Sequence, residues 1–449
     1  MANYDLAALG AQPSQNCALL LQRAIDDASA AGGGRVTVPA GRWLCGSIRL
    51  RSHVELYLAQ GARLVCSDDP AHLSDFGSDA RDDNADTGWD GGCFISACHA
   101  EDITIAGPGT IDGQGCLYVV EDGADGGQGE CPLRPVRSRP RLTLLEDVRG
   151  LTVRDVTFED AVFWTLHMAG CRDVRIQNIR ILNNERIPNN DGIDPDCCQN
   201  VTISGCIIRT ADDAIVVKAT RPMAEKYGAC EHITITGCVL ASHDSALKIG
   251  TETWGDIRDI VLADSVVDRC SRAVGIWVRD GGTVERVTVH HLTGSTRRYA
   301  DAEQGRLCRW WGVGEPVFLS ATPRAEVQRF PGCIRDVSID HLNLTTEAGI
   351  FLAAEANCPL QNIRITDCFL RMQRQGTQPG GLFDEQPSVR DVYAHAVPGL
   401  YARAVQGLLL RDVAMVRGTP CGTPWGKPME LQDCTGVQGG CTVRDWETL

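Results

Sequence analysis

Short runs in which apolar and polar residues alternate recur along most of the chain: LTVRDV from Leu151, VRIQNI from Val174, VTISGC from Val201, ITITGC from Ile233, IVLADS from Ile260, VTVHHL from Val287, VSIDHL from Val337 and IRITDC from Ile363. A period of two marks a strand with one buried face. Successive runs begin 23 to 32 residues apart, with one gap of 50 between Val287 and Val337. No helical period separates them, so βαβ units are not expected. Several short strands per repeat of this length predict β-coils stacked into a parallel β-helix, a single all-β domain over residues 1–449. The 50-residue gap predicts an inserted loop at about 295–332 carrying Arg297, Arg298, Arg309, Trp310 and Trp311, and long loops on a solenoid are where function concentrates. Residues 16–33 (NCALLLQRAIDDASAAGG) instead place apolar side chains at helical spacing ahead of a glycine stop. They predict a helix that caps the open N-terminal end, within a cap region of about residues 1–40.

Composition narrows the partners. A formal net charge of -15 over 449 residues lacks the basic footprint that nucleic acid or an anionic membrane needs. No run of about 18 apolar residues occurs, and MANYDLAALGAQPSQN has neither a basic n-region nor a long apolar h-region; neither a membrane span nor an export signal is expected. Many of the 21 cysteines recur at one phase of the repeat, as in TISGC (Cys206), TITGC (Cys238) and RITDC (Cys368), which suits reduced thiols stacked in a core and a cytoplasmic home. CxxC spacing is absent, Cys197 and Cys198 are adjacent, and His290-His291 and His341 lack paired ligand spacing. No metal or other cofactor is expected. Nothing in the sequence specifies an oligomeric state.

Stacked coils put residues of equal phase about 4.8 Å apart. Aligning Gly192-Ile193-Asp194 with Ala214-Ile215-Val216, Ala246-Leu247-Lys248 and Gly275-Ile276-Trp277 predicts one apolar stack of Ile193, Ile215, Leu247 and Ile276, and another of Val217, Ile249 and Val278. In that register Asp191 lies over Asp213 and Asn190 over Asp212. Asp191, Asp212 and Asp213 then share one patch, with Lys218, Lys248, Trp277 and Arg279 on the same face. Aspartates in β-helix turns often only hydrogen-bond backbone amides, but turn chemistry does not require three acids to converge with cations and an aromatic ring. Carboxylates this close cannot all ionise together, so one is expected to keep its proton beside ionised neighbours. Glycosidic bond hydrolysis uses that combination: an acid protonates the leaving oxygen while a base activates water or attacks directly.

GPGTIDGQG (107–115), the stretch 137–176, NNDGID (189–194) and ADDAIVVK (211–218), together with AIDDASAAGGGRVTVPAGRW near the N-terminus, resemble glycoside hydrolase family 28, the polygalacturonases and rhamnogalacturonan hydrolases. The resemblance covers roughly residues 16–290 and implies a right-handed β-helix and an inverting hydrolase. It implies Asp212 as general acid, Asp191 and Asp213 as bases that hold the water, and Asn189 as the first residue of the family's Asn-Thr-Asp motif, here Asn189-Asn190-Asp191. Two family motifs are altered. Where the family carries Gly-His-Gly, this chain has Asp244-Ser245-Ala246, with His243 two residues early; where it carries Arg-Ile-Lys, this chain has Trp277-Val278-Arg279. Lys248 is expected to replace the lost cation and, with Arg279, to bind a negative group of the substrate, Glu252 to reach the rim, and Trp277 to offer its face to a sugar ring. His167 resembles a family position and equally suits a structural histidine.

The resulting expectation is an inverting glycosidase acting on pectin-related oligosaccharides, with a specificity unlike that of an ordinary endo-polygalacturonase. Exo-action is expected because a cytoplasmic enzyme meets short imported substrates, and loops at 113–140 and 295–332 are expected to close one end of the cleft. An acid-to-base separation of about 6.5–9.5 Å goes with inversion. The alternatives are a polysaccharide lyase or epimerase on the same scaffold, and a non-catalytic carbohydrate-binding β-helix.

Overall fold

The computed structural model describes all residues except 1, 14, 81–91, 122–131, 300–309, 327–329, 377–379, 420–423 and 446–449. Among the described residues, 33 strands join one continuous ladder. The alternating runs pair one above the next in parallel: Val174 with Val201, then Ile233, Ile260, Val287, Val337, Ile363 and Leu408. All eight are buried, because a parallel register that keeps one face inside stacks that face from coil to coil. The fold is a right-handed parallel β-helix.

Each coil visits three sheets. One coil supplies Ile193–Asp196 to the first sheet, Gln199–Ser204 to the second and Ile207–Thr210 to the third. From Ile257–Cys270 onward the second and third sheets are crossed by one long strand per coil, as in Thr283–Thr296 and Cys333–Thr346. These long strands bend at a residue in the left-handed region, Asp264, His291 and His341 in successive coils. Helix Ala18–Ala30 buries Leu21, Ala24, Ile25 and Ala28 and ends before Gly32 and Gly33, whose φ values of 84° and 119° continue no right-handed helix. The strand Ala2–Asp5 pairs with Gly34–Val38 at the same end. Cys206, Cys238 and Cys368 are free and buried.

Three features depart from the sequence reading. The segment expected as an insertion at 295–332 contains a regular strand of the first sheet, Glu315–Ala321, wholly buried and paired with Arg272–Val278 and Ile350–Ala354. Arg309 lies outside the described residues. The expected stacks slip by two residues at the fourth coil: Leu247 pairs with Val274, Lys248 with Gly275 and Ile249 with Ile276. A slip of two keeps every side chain on its own face, so the hydrophobic pattern cannot detect it. The third feature is an antiparallel hairpin, Leu382–Asp384 with Val392–Ala394, which lies across the outer surface of the first sheet and packs Phe383 against Phe351 and Tyr401.

Ile215 is fully buried between Ile193 and Leu247. Ile215→Ala should lose about 2–5 kcal/mol of unfolding free energy, measured as a lower denaturant midpoint; a variant as stable as the parent would contradict this stacking.

Candidate active site

The turns that enter the first sheet carry the acids. Asp191 precedes Ile193–Asp196, and Asp212 and Asp213 precede Ile215–Ala219. Asn190 ties the two turns together. Fully buried, its Oδ1 accepts from the amides of Ala211 (2.8 Å) and Asp212 (3.3 Å), while its Nδ2 donates to Asn184 O at 2.8 Å. Gly192 N donates to Asp213 O at 2.9 Å, so Asp191 stands beside Asp213 in the expected register. The hydroxyls of Thr210 and Ser242 both donate to Asp212 O, at 2.5 and 2.6 Å.

The three carboxylates each place one oxygen within 4.8 Å of the other two. These oxygens lie closer together than the gap of about 6.5–9.5 Å expected between acid and base, because adjacent coils set the acids a single strand spacing apart. Two of the three have an ammonium partner. Lys218 Nζ lies 3.1 Å from Asp191 Oδ2 and 3.0 Å from Asp194 Oδ1, and Lys248 Nζ lies 2.8 Å from Asp213 Oδ2 and 3.9 Å from Asp244 Oδ2. Asp212 has no ion pair among those described. Its Oδ2 accepts from Asn189 N at 3.1 Å and its Oδ1 from Asp213 N at 3.0 Å, and it is the most exposed of the three.

Charge follows from these partners. Burial, then the neighbouring Asp191, pushes the Asp212 carboxyl up, against the pull of Lys248 and Lys218. Burial also pushes Asp213 up, with Lys248 pulling it back. For Lys218, burial favours the neutral amine, but Asp191 and Asp194 outweigh it and hold the ammonium charged. The same balance, with Asp213 and Asp244 opposing burial, raises Lys248. Burial thus pushes both Asp212 and Asp213 toward the protonated form, and of the two only Asp213 has an ammonium group in contact among the described residues.

The remaining expected residues divide. Asn189 is in the site, its Oδ1 accepting from Arg139 Nη2 at 2.9 Å. Glu252 reaches it electrostatically: burial would raise its carboxyl, yet Lys218, Arg324 and Lys248 hold it low. His243 adjoins the acids but is enclosed, stacked on Tyr299 at 3.9 Å and edge-on to Trp310 at 5.5 Å. Burial, then Arg297, pushes it down to about 3, so it is neutral and cannot serve as a cation. Trp277 and Arg279 are corrections. Both are 0% exposed: Trp277 Nε1 donates to Gln386 O at 3.0 Å, and Arg279 donates to Pro387 O at 2.8 Å and Ser320 O at 2.8 Å. The two-residue slip carries them down the strand, where they hold the 382–394 hairpin instead of facing a sugar. Lys248 stays at the acids, its Nζ 5.2 Å from the Trp277 ring and 5.1 Å from that of Trp311.

His167 is structural. It is buried, with Nδ1 3.0 Å from Arg141 Nη1 and Nε2 3.5 Å from Asp196 Oδ2, and burial followed by Arg141 pushes it down to about 4. Sequence reasoning missed Trp164, whose ring lies 3.3 Å below Lys218 Nζ, and Arg139, buried and within electrostatic reach of Asp212 and Asp191. The arginine-rich RSRPR run was a signal for Arg139; Trp164 had none.

The family model of the glycosyl hydrolases family 28 matches residues 74–293. That stretch, just under half of the chain, is similar to that family. The matched stretch contains all three acids and both lysines and stops short of the Glu315–Ala321 strand and the hairpin. Among curated proteins, a probable polygalacturonase of Vitis vinifera is 30% identical over 281 residues, 60% of this chain and 55% of that protein, and an exopolygalacturonase of Platanus acerifolia is 24% identical over 192 residues, 41% and 44% respectively. The chain spans about half the length of these two relatives. Among solved structures, an exopolygalacturonase from Thermotoga maritima aligns with a TM-score of 0.67 at 22% identity, covering 85% of this chain and 89% of that one. A family 28 exopolygalacturonase of Yersinia enterocolitica aligns at 0.65 and 15% identity, covering 98% and 78%. At such identities the structural likeness concerns the fold.

Because Trp277 and Arg279 hold the hairpin, Trp277→Ala and Arg279→Met should each lose about 3–5 kcal/mol of stability and expose 382–394 to limited proteolysis, with the KM for a pectic oligosaccharide unchanged. A raised KM at an unaltered melting temperature would return them to the cleft.

Proposed function

We propose that the chain is an inverting glycosidase that removes sugars from one end of pectin-related oligosaccharides, with Asp212 as general acid and Asp191 and Asp213 as the bases that hold the attacking water. The observation that carries this reading is the unequal pairing of the three acids: an ammonium group lies on each of Asp191 and Asp213, and none of the described ion pairs involves Asp212. In a chain similar to family 28, that asymmetry gives one proton donor and two proton acceptors at adjoining positions. Asp212 protonates the departing oxygen; the proton of the incoming water goes to the Asp191–Asp213 pair.

Taken alone, the short spacing would suit a double displacement, whose two carboxyl groups lie about 5–5.5 Å apart. Inversion is favoured because two carboxylates face the acid, where a covalent intermediate needs only one nucleophile. Asp191 Oδ1 is also buried and makes no hydrogen bond among the described residues, leaving an acceptor to a reacting water. Exo-action is supported by the wall beside the acids. Tyr299 and Trp310 cover His243, and Trp311 adjoins Lys248, so a long polymer has less room to pass. The buried free thiols support the cytoplasmic setting expected from the sequence.

Asp212→Asn should lower kcat by about 10²- to 10⁴-fold with the fold intact; near-normal turnover would remove Asp212 from the mechanism. Proton NMR of the first-formed product should give the inverted anomer, and a retained one would transfer the reaction to a covalent intermediate. On a ladder of pectic oligosaccharides, the expected early product is a single short sugar, and random internal fragments would overturn exo-action.

A further inference from the structure

Three clusters of carboxylate and imidazole groups among the described residues bring three ligand atoms within 4.8 Å of one another: Asp191–Asp212–Asp213, Glu231–His232–Asp259 and Asp264–His290–His291. Two of them already contain cations. Lys218 and Lys248 occupy the first. In the second, Arg258 Nε lies 2.6 Å from Glu231, and Arg286 grips Asp259 at 2.7 and 3.0 Å. No lysine or arginine among the described residues pairs with the third; its one recorded ion pair is internal, Asp264 Oδ1 to His291 Nδ1 at 3.7 Å.

We propose that Asp264, His290 and His291 form a binding site for a first-row divalent transition-metal ion at the bend between the second and third sheets. The Nδ1 atoms of His290 and His291 lie 2.8 Å apart. Consecutive residues of a strand normally point to opposite faces, but His291 has a φ of 55°, which turns the chain and brings both rings together. The separation is close to the ~2.9 Å that two nitrogens at ~2.0–2.1 Å from one ion span across a right angle. The third ligand comes from the preceding coil. Ala263 pairs with His290 and Ser265 with Leu292, so Asp264, itself left-handed at φ 50°, stands opposite His291. On the other side His341 stacks on His291 at 4.6 Å and 27°, and its Nδ1 lies 2.5 Å from Asp340 Oδ1. That stack restrains the His291 ring in the ligating orientation. Asp264 and His291 are exposed, so an ion enters from solvent with water completing its shell.

Two imidazoles and a carboxylate suit nickel, copper or zinc over magnesium or calcium, which prefer all-oxygen sets. The ion would join two neighbouring coils and stabilise the folded chain by mass action. The sequence reading expected no metal because the histidine pair lacks a ligand at regular spacing; Asp264 is supplied by stacking, 26 residues before His290.

The test is calorimetric titration of the EDTA-treated, dialysed full chain with Ni²⁺ and with Zn²⁺. One saturable equivalent is expected, with a rise in melting temperature. His290→Ala and His291→Ala should each weaken it about 10- to 100-fold or more, and Asp264→Asn about tenfold, with glycosidase activity unchanged in all three. The absence of saturable binding, or a site untouched by the double variant His290→Ala/His291→Ala, would overturn the proposal. Unaltered affinity in Asp264→Asn would also overturn it, since the site would then be a bare histidine pair.

Discussion

Two buried ammonium groups make the acidic patch possible. Stacking coils about 4.8 Å apart forces whatever precedes a first-sheet strand into the company of its counterpart on the next coil, and here both are carboxylates. Asp191 and Asp213 are 3% and 1% exposed, a setting in which an unpaired charge costs several kcal/mol. Each is answered in the same way, by a lysine on the first-sheet strand of the following coil: Lys218 for Asp191 and Lys248 for Asp213. The repeat of the fold thus becomes a repeat of ion pairs. Asp212, next to the second acid in sequence, falls outside that repeat, and its carboxyl is pushed up by burial and then by Asp191.

The same stacking explains what surrounds the patch. Arg272, Trp277 and Arg279 occupy one first-sheet strand or its end, and all three donate to backbone carbonyls of the hairpin region: Asp384 O, Gln386 O and Pro387 O. Fixed carbonyls are satisfied by side chains that would otherwise be available to a ligand, so the surface that could grip a sugar on this strand serves as scaffolding. The Phe318, Phe351, Phe383 and Tyr401 rings fill the space between strand and hairpin. Beside Asp212, Tyr299 and Trp310 pack with Ala211, and Trp311 adjoins Lys248.

These features differ in how far the sequence discloses them. A period of two with one face buried gives the strands and their stacking order, because a one-residue error would turn the core outward. The pairing of Asp191 with Asp213 was legible for that reason, helped by the closely spaced NNDGID and ADD segments. A two-residue error carries no such penalty, and it misplaced Trp277 and Arg279. Their real partners are backbone carbonyls more than 100 residues away, which have no signature in side-chain chemistry. The Glu315–Ala321 strand was hidden for a related reason: with both faces covered, EPVFLSA does not alternate.

The pairing also bears on substrate charge. Asp191, Asp194, Asp212, Asp213, Asp244 and Glu252 surround two lysines whose ammonium groups lie within 4.0 Å of four of these carboxylates. Lys248, the cation expected to meet a uronate, is therefore already engaged on two sides, and a substrate carboxylate approaching it would also approach Asp213 and Asp244. Protonation of Asp212, which burial and Asp191 push up, relieves that field without making it positive. An anionic sugar at the cleaved position would have to displace an existing pair, whereas a neutral one would not. The electrostatics of the patch consequently resist a further negative group placed at the two lysines.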